Sequence, residues 1–278
     1  MTYKTILLSL NDVARAGAMI DAAIAVAATQ DAHVIGCYVV PAVTVYPEMG
    51  FSGVGGVYDG NQVYFKQHLD EVKRLFESKT AAAGIIAEWR AVGSPYSEIG
   101  SALLEHTYSA DLIISSQTAA MTGGGIESDL VERLLMESGR PVLMLPQGAT
   151  FAGPEVAIIG YNSSREAARA LFDALPLLRP AKDVRVIWVN PQTERSIAGD
   201  VPGAEAAAAL ARHGIKATAE GLPAGSNAGE ALLRRAQDLG ADLVVMGAYA
   251  HSRLREYIFG GATQHVLENA TIPVLMSH

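Results

Sequence analysis

The chain has 278 residues, 50% of them hydrophobic and 18% charged, with a formal net charge of -8 and a pI near 5.4. That is ample apolar material for folded cores, enough chain for two domains at ~100–200 residues each, and too little charge for a disordered polypeptide. The acidity excludes a general binder of DNA or RNA, which needs a basic face to neutralise phosphates, and the single cysteine, Cys37, excludes an intramolecular disulfide, a CxxC redox pair and a cysteine zinc cluster.

In chain order, the first expected strand is Thr5–Asn11, an apolar run that ends in a polar turn. Its apolar part, Ile6–Leu10, falls short of the roughly 7–15 residues of a secretory signal core, and no run approaches the ~20 residues of a membrane span. The cytoplasm is therefore the expected compartment, with neither membrane nor nucleic acid as partner. An alanine-rich helical stretch follows, Ala14–Thr29, then a second apolar run, His33–Val40, in which Cys37 reads as a buried structural thiol. Between Pro41 and Gly60 lies a glycine-rich loop whose Phe51, Val54, Val57 and Tyr58 either cover the chain's own sheet or meet a second copy. Gly93–Glu98 precedes a helix, with a serine as candidate cap. Ala110–Ile114 and Arg140–Leu145 are further strands, and Gly123–Gly125 reads as a flexible loop between them. Pro146–Pro154, with two glycines and two prolines, reads as a connector.

The pattern then repeats. Val156–Asn162 matches the first strand, Arg165–Leu178 the first helix and Val184–Asn190 the second strand. Gly225–Glu230 is set against Gly93–Glu98, Ala241–Val245 against Ala110–Ile114, and Ile272–Met276 against Arg140–Leu145. Runs apolar on successive residues, alternating with longer helical stretches, imply parallel strands covered by helices on both faces. The expected fold class is α/β: two tandem five-stranded parallel-sheet domains, residues 1–146 and 154–278, meeting near Val142–Leu145 and Val274–Met276.

Ligands of open parallel sheets bind beyond the carboxyl ends of the strands. The segment after the fourth strand of the second repeat therefore carries the candidate chemistry. Gly247 closes the strand, and Gly260 and Gly261 open the last helix, where exposed backbone N–H groups suit a phosphate. His251, Arg253 and Arg255 add donors within the same loop; the alternative for the arginines is a solvated helix face.

With these residues the sequence resembles a tandem member of the universal stress protein family. That family's nucleotide signature is a glycine, two residues, a glycine, nine residues, then a glycine followed by serine or threonine. Gly247 and Gly260 keep the first and third positions at the right spacing, Ala250 replaces the second glycine, and Gly261 replaces the hydroxyl residue, with Thr263 two places on. The resemblance covers nearly the whole chain. It implies a five-stranded fold of the adenine nucleotide alpha hydrolase type, pairing of two such domains (here within one chain, with a homodimer as a further option), and ATP or another adenine nucleotide as ligand, with Mg only as a companion of ATP. The implied nucleotide site comprises Asn162 at the ribose, Val189 at the base, and Gly247, Ala250, His251, Arg253, Gly260, Gly261, Ala262 and Thr263 around the phosphates. Asn11 and Asn162 stand where the family often has aspartate.

The first repeat departs further: Ser116 aligns with Gly247, and Ser128 and Asp129 align with Gly260 and Gly261, so a carboxylate faces the phosphate position. That repeat is expected to be structural or partner-binding. GxxxxGK[ST], GxGxxG after a first strand, GxSxG and HExxH are all absent, and no nucleophile, base and oxyanion set can be assembled. The expected function is a stress-related nucleotide-binding module without fast catalysis; a ligand-free interaction protein and a slow ATPase are the alternatives.

Overall fold

The computed structural model describes residues 2–42, 60–95, 98–118, 126–189, 203–223, 227–249 and 261–278, with Gly60 and Asn61 described by backbone alone. The first repeat contains β1 (Thr5–Ser9), α1 (Ala16–Gln30), β2 (His33–Val40), α2 (Gly60–Ala82), β3 (Ala87–Gly93), α3 (Ile99–Thr107), β4 (Leu112–Ser116), α4 (Leu130–Glu137) and β5 (Val142–Leu145). The second contains β6 (Val156–Gly160), α5 (Arg165–Asp173), the single turn α6 (Leu175–Leu178), β7 (Asp183–Val189), α7 (Ala204–Arg212), β8 (Ala217–Leu222), α8 (Ala228–Leu239), β9 (Leu243–Gly247), α9 (Gly261–Asn269) and β10 (Val274–Ser277).

The expected long helix over Arg165–Leu178 is interrupted at Ala174, because Pro176 has no N–H to offer the preceding turn and fits only the first turn of a new helix. The helix starts also set the repeats in a different register from the one read by spacing. Glu98 and Asn227 are the residues before α3 and α8, so Ile99-Gly-Ser-Ala-Leu-Leu104 lies opposite Ala228-Gly-Glu-Ala-Leu-Leu233. The caps are not serines. Asn227 accepts from the N–H groups of Gly229 and Glu230 at 2.8 and 3.3 Å, and the Glu98 side chain makes no capping bond. The loop expected over Pro41–Gly60 falls outside the described residues from 43 to 59, and Gly123–Gly125 is outside them altogether.

Instead of two separate sheets, the strands form one ten-stranded sheet in the order β3-β2-β1-β4-β5-β10-β9-β6-β7-β8. Every pairing within a repeat is parallel; the junction between β5 and β10 is antiparallel, with Val274 opposite Met144, Leu275 opposite Leu143 and Met276 opposite Val142. Val142-Leu-Met144 and Val274-Leu-Met276 are the same tripeptide, so the junction pairs each residue with its counterpart read backwards and Leu143 with Leu275 at the centre. The physical reason for the fusion is that β5 and β10 would otherwise be bare edges of unpaired N–H and C=O groups. Both strands are fully buried.

The central strands β1, β4, β6 and β9 are apolar and buried on successive residues, as strands covered on both faces must be. The outermost strands β3 and β8 alternate exposure instead. Cys37 is buried in β2, and burial pushes its thiol up to about 12, as an inert core group requires. One aspartate per repeat ties the start of the first strand to the start of the fourth. Asp111 accepts from the backbone N–H groups of Lys4 and Thr5 at 2.7 and 3.0 Å, and Asp242 accepts from Glu155 and Val156 at 2.9 and 3.1 Å. Across the junction the Tyr3 hydroxyl donates to the Asp173 carbonyl at 2.5 Å, and within the second repeat Ser277 donates to the Asp173 carboxylate at 2.9 Å. Arg169 donates to the carbonyls of His278 and Gly139. No helix among the described residues is long and apolar enough to cross a membrane.

Candidate functional site

Within the second repeat the strand order reverses between β9 and β6: the chain winds outward through β7 and β8 on one side and β10 lies on the other. Loops diverge at such a point and leave a crevice at the carboxyl ends of the strands. A cavity of about 240 Å³ opens there, between the ends of β6, β7 and β9 and the first turns of α5, α8 and α9. Of the site residues expected from sequence, Asn162, Val189, Gly247, Gly261, Ala262 and Thr263 line it together. Ala250, His251, Arg253 and Gly260 lie outside the described residues.

The glycines hold different jobs. A Cβ on Gly247 would sit 2.4 Å from the backbone nitrogen of Ala167 and 2.5 Å from the carbonyl carbon of Glu166. Gly247 is therefore what lets the first turn of α5 lie directly on the end of β9. Gly229, which the sequence reading missed as a site residue, does the same for the two helices that flank the cleft: its Cβ would fall 2.5 Å from the carbonyl oxygen of Ala262. Its signal was present in the sequence, as Gly100 at the matching place of the first repeat. At Gly261, by contrast, a Cβ would meet no atom of the described residues within 4 Å. Among the described residues, no side chain covers that position at the start of α9, where backbone N–H groups and the positive end of the helix dipole lie.

The polar groups of the cleft are oriented by the backbone. Asn162 Oδ1 accepts from the Ser164 N–H at 3.2 Å across Ser163, whose φ of 55° makes the turn tight. Ser164 caps α5 by accepting from the Ala167 N–H at 3.1 Å. Thr263 is buried, and its Oγ1 accepts from the Tyr249 N–H at 3.1 Å, holding the chain as it leaves β9 with Tyr249 at φ 59°. The wall beside them is apolar, made by Ile187, Val189, Leu232 and Met246. The nearest carboxylate on this turn, Glu166, is buried and paired with Arg165 at 2.8 Å. Burial pushes the Glu166 carboxyl up, but its own backbone N–H and the Arg165 guanidinium outweigh that, so the net shift is downward and the group stays ionised.

The first repeat supplies an internal comparison. Asn11 is buried and spends both ends of its amide on one residue, Nδ2 donating to the Val39 carbonyl at 2.7 Å and Oδ1 accepting from the Val39 N–H at 3.0 Å. A 3-10 turn, Val13–Arg15, intervenes before α1, whereas α5 starts directly after its cap. Glu127 carries its carboxylate to the first turn of α3 and accepts from the Ile99 N–H. Burial raises the Glu127 carboxyl, opposed by backbone N–H groups of Ile99, Glu127 and Gly100 and by Arg133. This repeat thus brings an anion of its own to a helix N-terminus, and Asp129 adds a second carboxylate at the residue before α4. No group of three or more His, Cys, Asp or Glu side chains with metal-holding geometry occurs among the described residues.

Residues 156–278 match the model of the universal stress protein family. The universal stress protein Slr1230 of Synechocystis sp. (strain ATCC 27184 / PCC 6803 / Kazusa) is 28% identical over 160 residues, covering 57% of this chain and 54% of that protein; the match thus spans about half the length of that relative. Two solved structures superpose over almost the whole chain. A universal stress protein from Archaeoglobus fulgidus DSM 4304 has a TM-score of 0.69 at 17% identity, covering 98% of this chain and 95% of its own. Protein PA1789 of Pseudomonas aeruginosa PAO1, described as functionally unknown, has a TM-score of 0.60 at 16% identity, covering 99% and 92%. At these identities the likeness shows a shared fold.

Proposed function

We propose that the chain is a universal stress protein, on the match of residues 156–278 to that family's model and a fold shared along its length, and that its second repeat binds one adenine nucleotide in a regulatory, stress-related role without fast turnover. Residues 1–146 and 154–278 are read as its two domains, of which only the second keeps a ligand site. The observation that carries this is the cleft at the strand-order reversal, where Asn162, Val189, Gly247, Gly261, Ala262 and Thr263 converge although they come from four separate stretches of sequence. The 5′ phosphates lie at the N–H groups that open α9, Gly261 and Ala262 with Gly260 before them, where the helix dipole favours an anion. Thr263 keeps its hydroxyl proton to donate, since its oxygen already accepts from Tyr249. The base lies against Val189 and Ile187, and the ribose at Asn162. His251 and Arg253, with Ala250 before them in sequence, lie outside the described residues and are proposed as side chains that meet the phosphates. Mg enters only with ATP.

Calorimetric titration of the wild type and Gly261→Asp with ATP and AMP tests this reading. The aspartate stands at the first turn of a helix, where a carboxylate is favourable for the fold, so the variant keeps its melting temperature and loses the ligand. Two equal sites per chain, no binding by the wild type, or unchanged affinity in Gly261→Asp overturns the assignment. Phosphate release measured alongside separates binding from slow hydrolysis.

A further inference from the structure

We infer that the ribose corner of this cleft selects an adenine nucleotide carrying a phosphate on its ribose 2′ or 3′ oxygen over one with free ribose hydroxyls. The inference rests on the nucleotide reading of the site and adds the class of nucleotide. A backbone N–H donates only to an oxygen here, so the bond from Ser164 fixes the Asn162 amide with Oδ1 toward the turn and Nδ2 away from it. Nδ2 makes no hydrogen bond to a described residue, and Asn162 lines the cleft. Ser164, also in the lining, gives an oxygen lone pair to the Ala167 N–H and keeps its proton for a ligand. Both side chains thus present donors to the cleft, because the start of α5 has taken up their acceptors.

No carboxylate lines the cleft among the described residues. Glu166, the one carboxylate on the turn, is buried and tied to Arg165, whose side chain is 80% exposed beside the cleft. Free ribose hydroxyls are best held by an acceptor, and a carboxylate in a nucleotide fold serves that purpose; a phosphate on the ribose needs donors and positive charge and is repelled by a carboxylate. The Asn162 corner has the second character. Asn11 in the first repeat has no such capacity, since both ends of its amide are bound to Val39.

The test compares adenosine 5′-diphosphate with adenosine 3′,5′-bisphosphate and adenosine 2′,5′-bisphosphate by calorimetric titration, so that the number of phosphates is held constant. The wild type binds at least one bisphosphate about tenfold more tightly than the diphosphate, the worth of one charge-assisted hydrogen bond. Asn162→Asp still accepts the Ser164 N–H, keeps its melting temperature, and loses the bisphosphate preference, because a carboxylate repels a phosphate on the ribose. Asn162→Ala, which has no donor, also loses the preference. Diphosphate binding as tight as both bisphosphates in the wild type, or equal loss of all ligands in Asn162→Asp, overturns the inference and leaves the nucleotide site standing. No binding of any of the three by the wild type overturns the nucleotide reading and this inference with it.

Discussion

Gly247→Ala adds one methyl group at a place where the chain has already used the space. The new carbon would lie 2.4 Å from a backbone nitrogen and 2.5 Å from a backbone carbonyl carbon of α5. Ordinary contact is about an ångström longer, and backbone cannot swing aside as a side-chain tip can, so the first turn of α5 must lift from β9 as a unit. Overpacking of this kind costs about 1–3 kcal/mol, and a backbone-to-backbone clash belongs at the upper end, ~3 kcal/mol. At roughly 2–4 °C per kcal/mol for a protein of this size, the melting temperature falls by about 6–12 °C. Gly261→Ala is the matched control. Its Cβ meets no atom of the described residues within 4 Å at the start of a helix, and removing a glycine there stabilises by about 0.4–1 kcal/mol through the unfolded chain. Urea unfolding and scanning calorimetry of the two variants without ligand decide the matter. A Gly247→Ala protein within about 0.5 kcal/mol of the wild type, or a Gly261→Ala protein less stable than it, would refute the division of labour between the glycines.

Two further outcomes follow from carboxylates that accept backbone N–H groups. The Glu127 carboxyl is raised in the folded protein, chiefly by burial, so the native state holds its proton more firmly than the unfolded chain. Its contribution to stability is full below the ordinary carboxylate range and falls as pH rises through the raised value. Glu127→Gln keeps an acceptor for the Ile99 N–H and has no charge to bury, so its stability relative to the wild type rises between about pH 4 and pH 7; a flat or falling difference in urea melts across that range counts against the burial of this group. Asp242→Ala leaves the N–H groups of Glu155 and Val156 without their acceptor, and costs about 1–2 kcal/mol in the same melts, with Asp242→Asn retaining part of it; an alanine variant as stable as the wild type would show that water replaces the carboxylate at no cost.

The α/β alternation, the internal repeat and six of the fifteen described cleft residues were legible in the sequence, because buried parallel strands and glycine-opened helices leave local patterns. The meeting of the repeats near Val142–Leu145 and Val274–Met276 was legible too, but not that it would join all ten strands into one sheet. Val142–Leu145 and Val274–Ser277 are short apolar runs that read alike whether they end a sheet or sit in its middle, and only their mutual pairing distinguishes the cases. The α3 and α8 register was missed because serines and glycines before each helix imitate a shared cap, while the true correspondence lies inside the helices. Asn11 and Asn162 show the deepest limit: the same residue at the same place in two repeats is a buried strap in one and a cleft residue in the other. The difference comes from the turn that follows each, a 3-10 turn after Asn11 and an immediate helix cap after Asn162. Glu127 was passed over for a similar reason, since nothing local marks a glutamate whose partner N–H lies on another helix.

The junction through Leu143 and Leu275 has a consequence for how the two repeats can differ. Two identical chains paired on such a strand would obey a twofold axis, and every change made to one cleft would appear in the other. Here the antiparallel seam preserves that pairing while the covalent link releases it from symmetry. The carboxyl ends of the strands in the two repeats point to opposite ends of the sheet, so the molecule has two poles made on one plan. One pole holds its own glutamate against a helix start; at the other, no side chain of the described residues covers the helix start at Gly261. A tandem chain thus keeps the partner that the fold demands and, on the proposed reading, answers a ligand at a single pole, with a response to concentration that is that of one site.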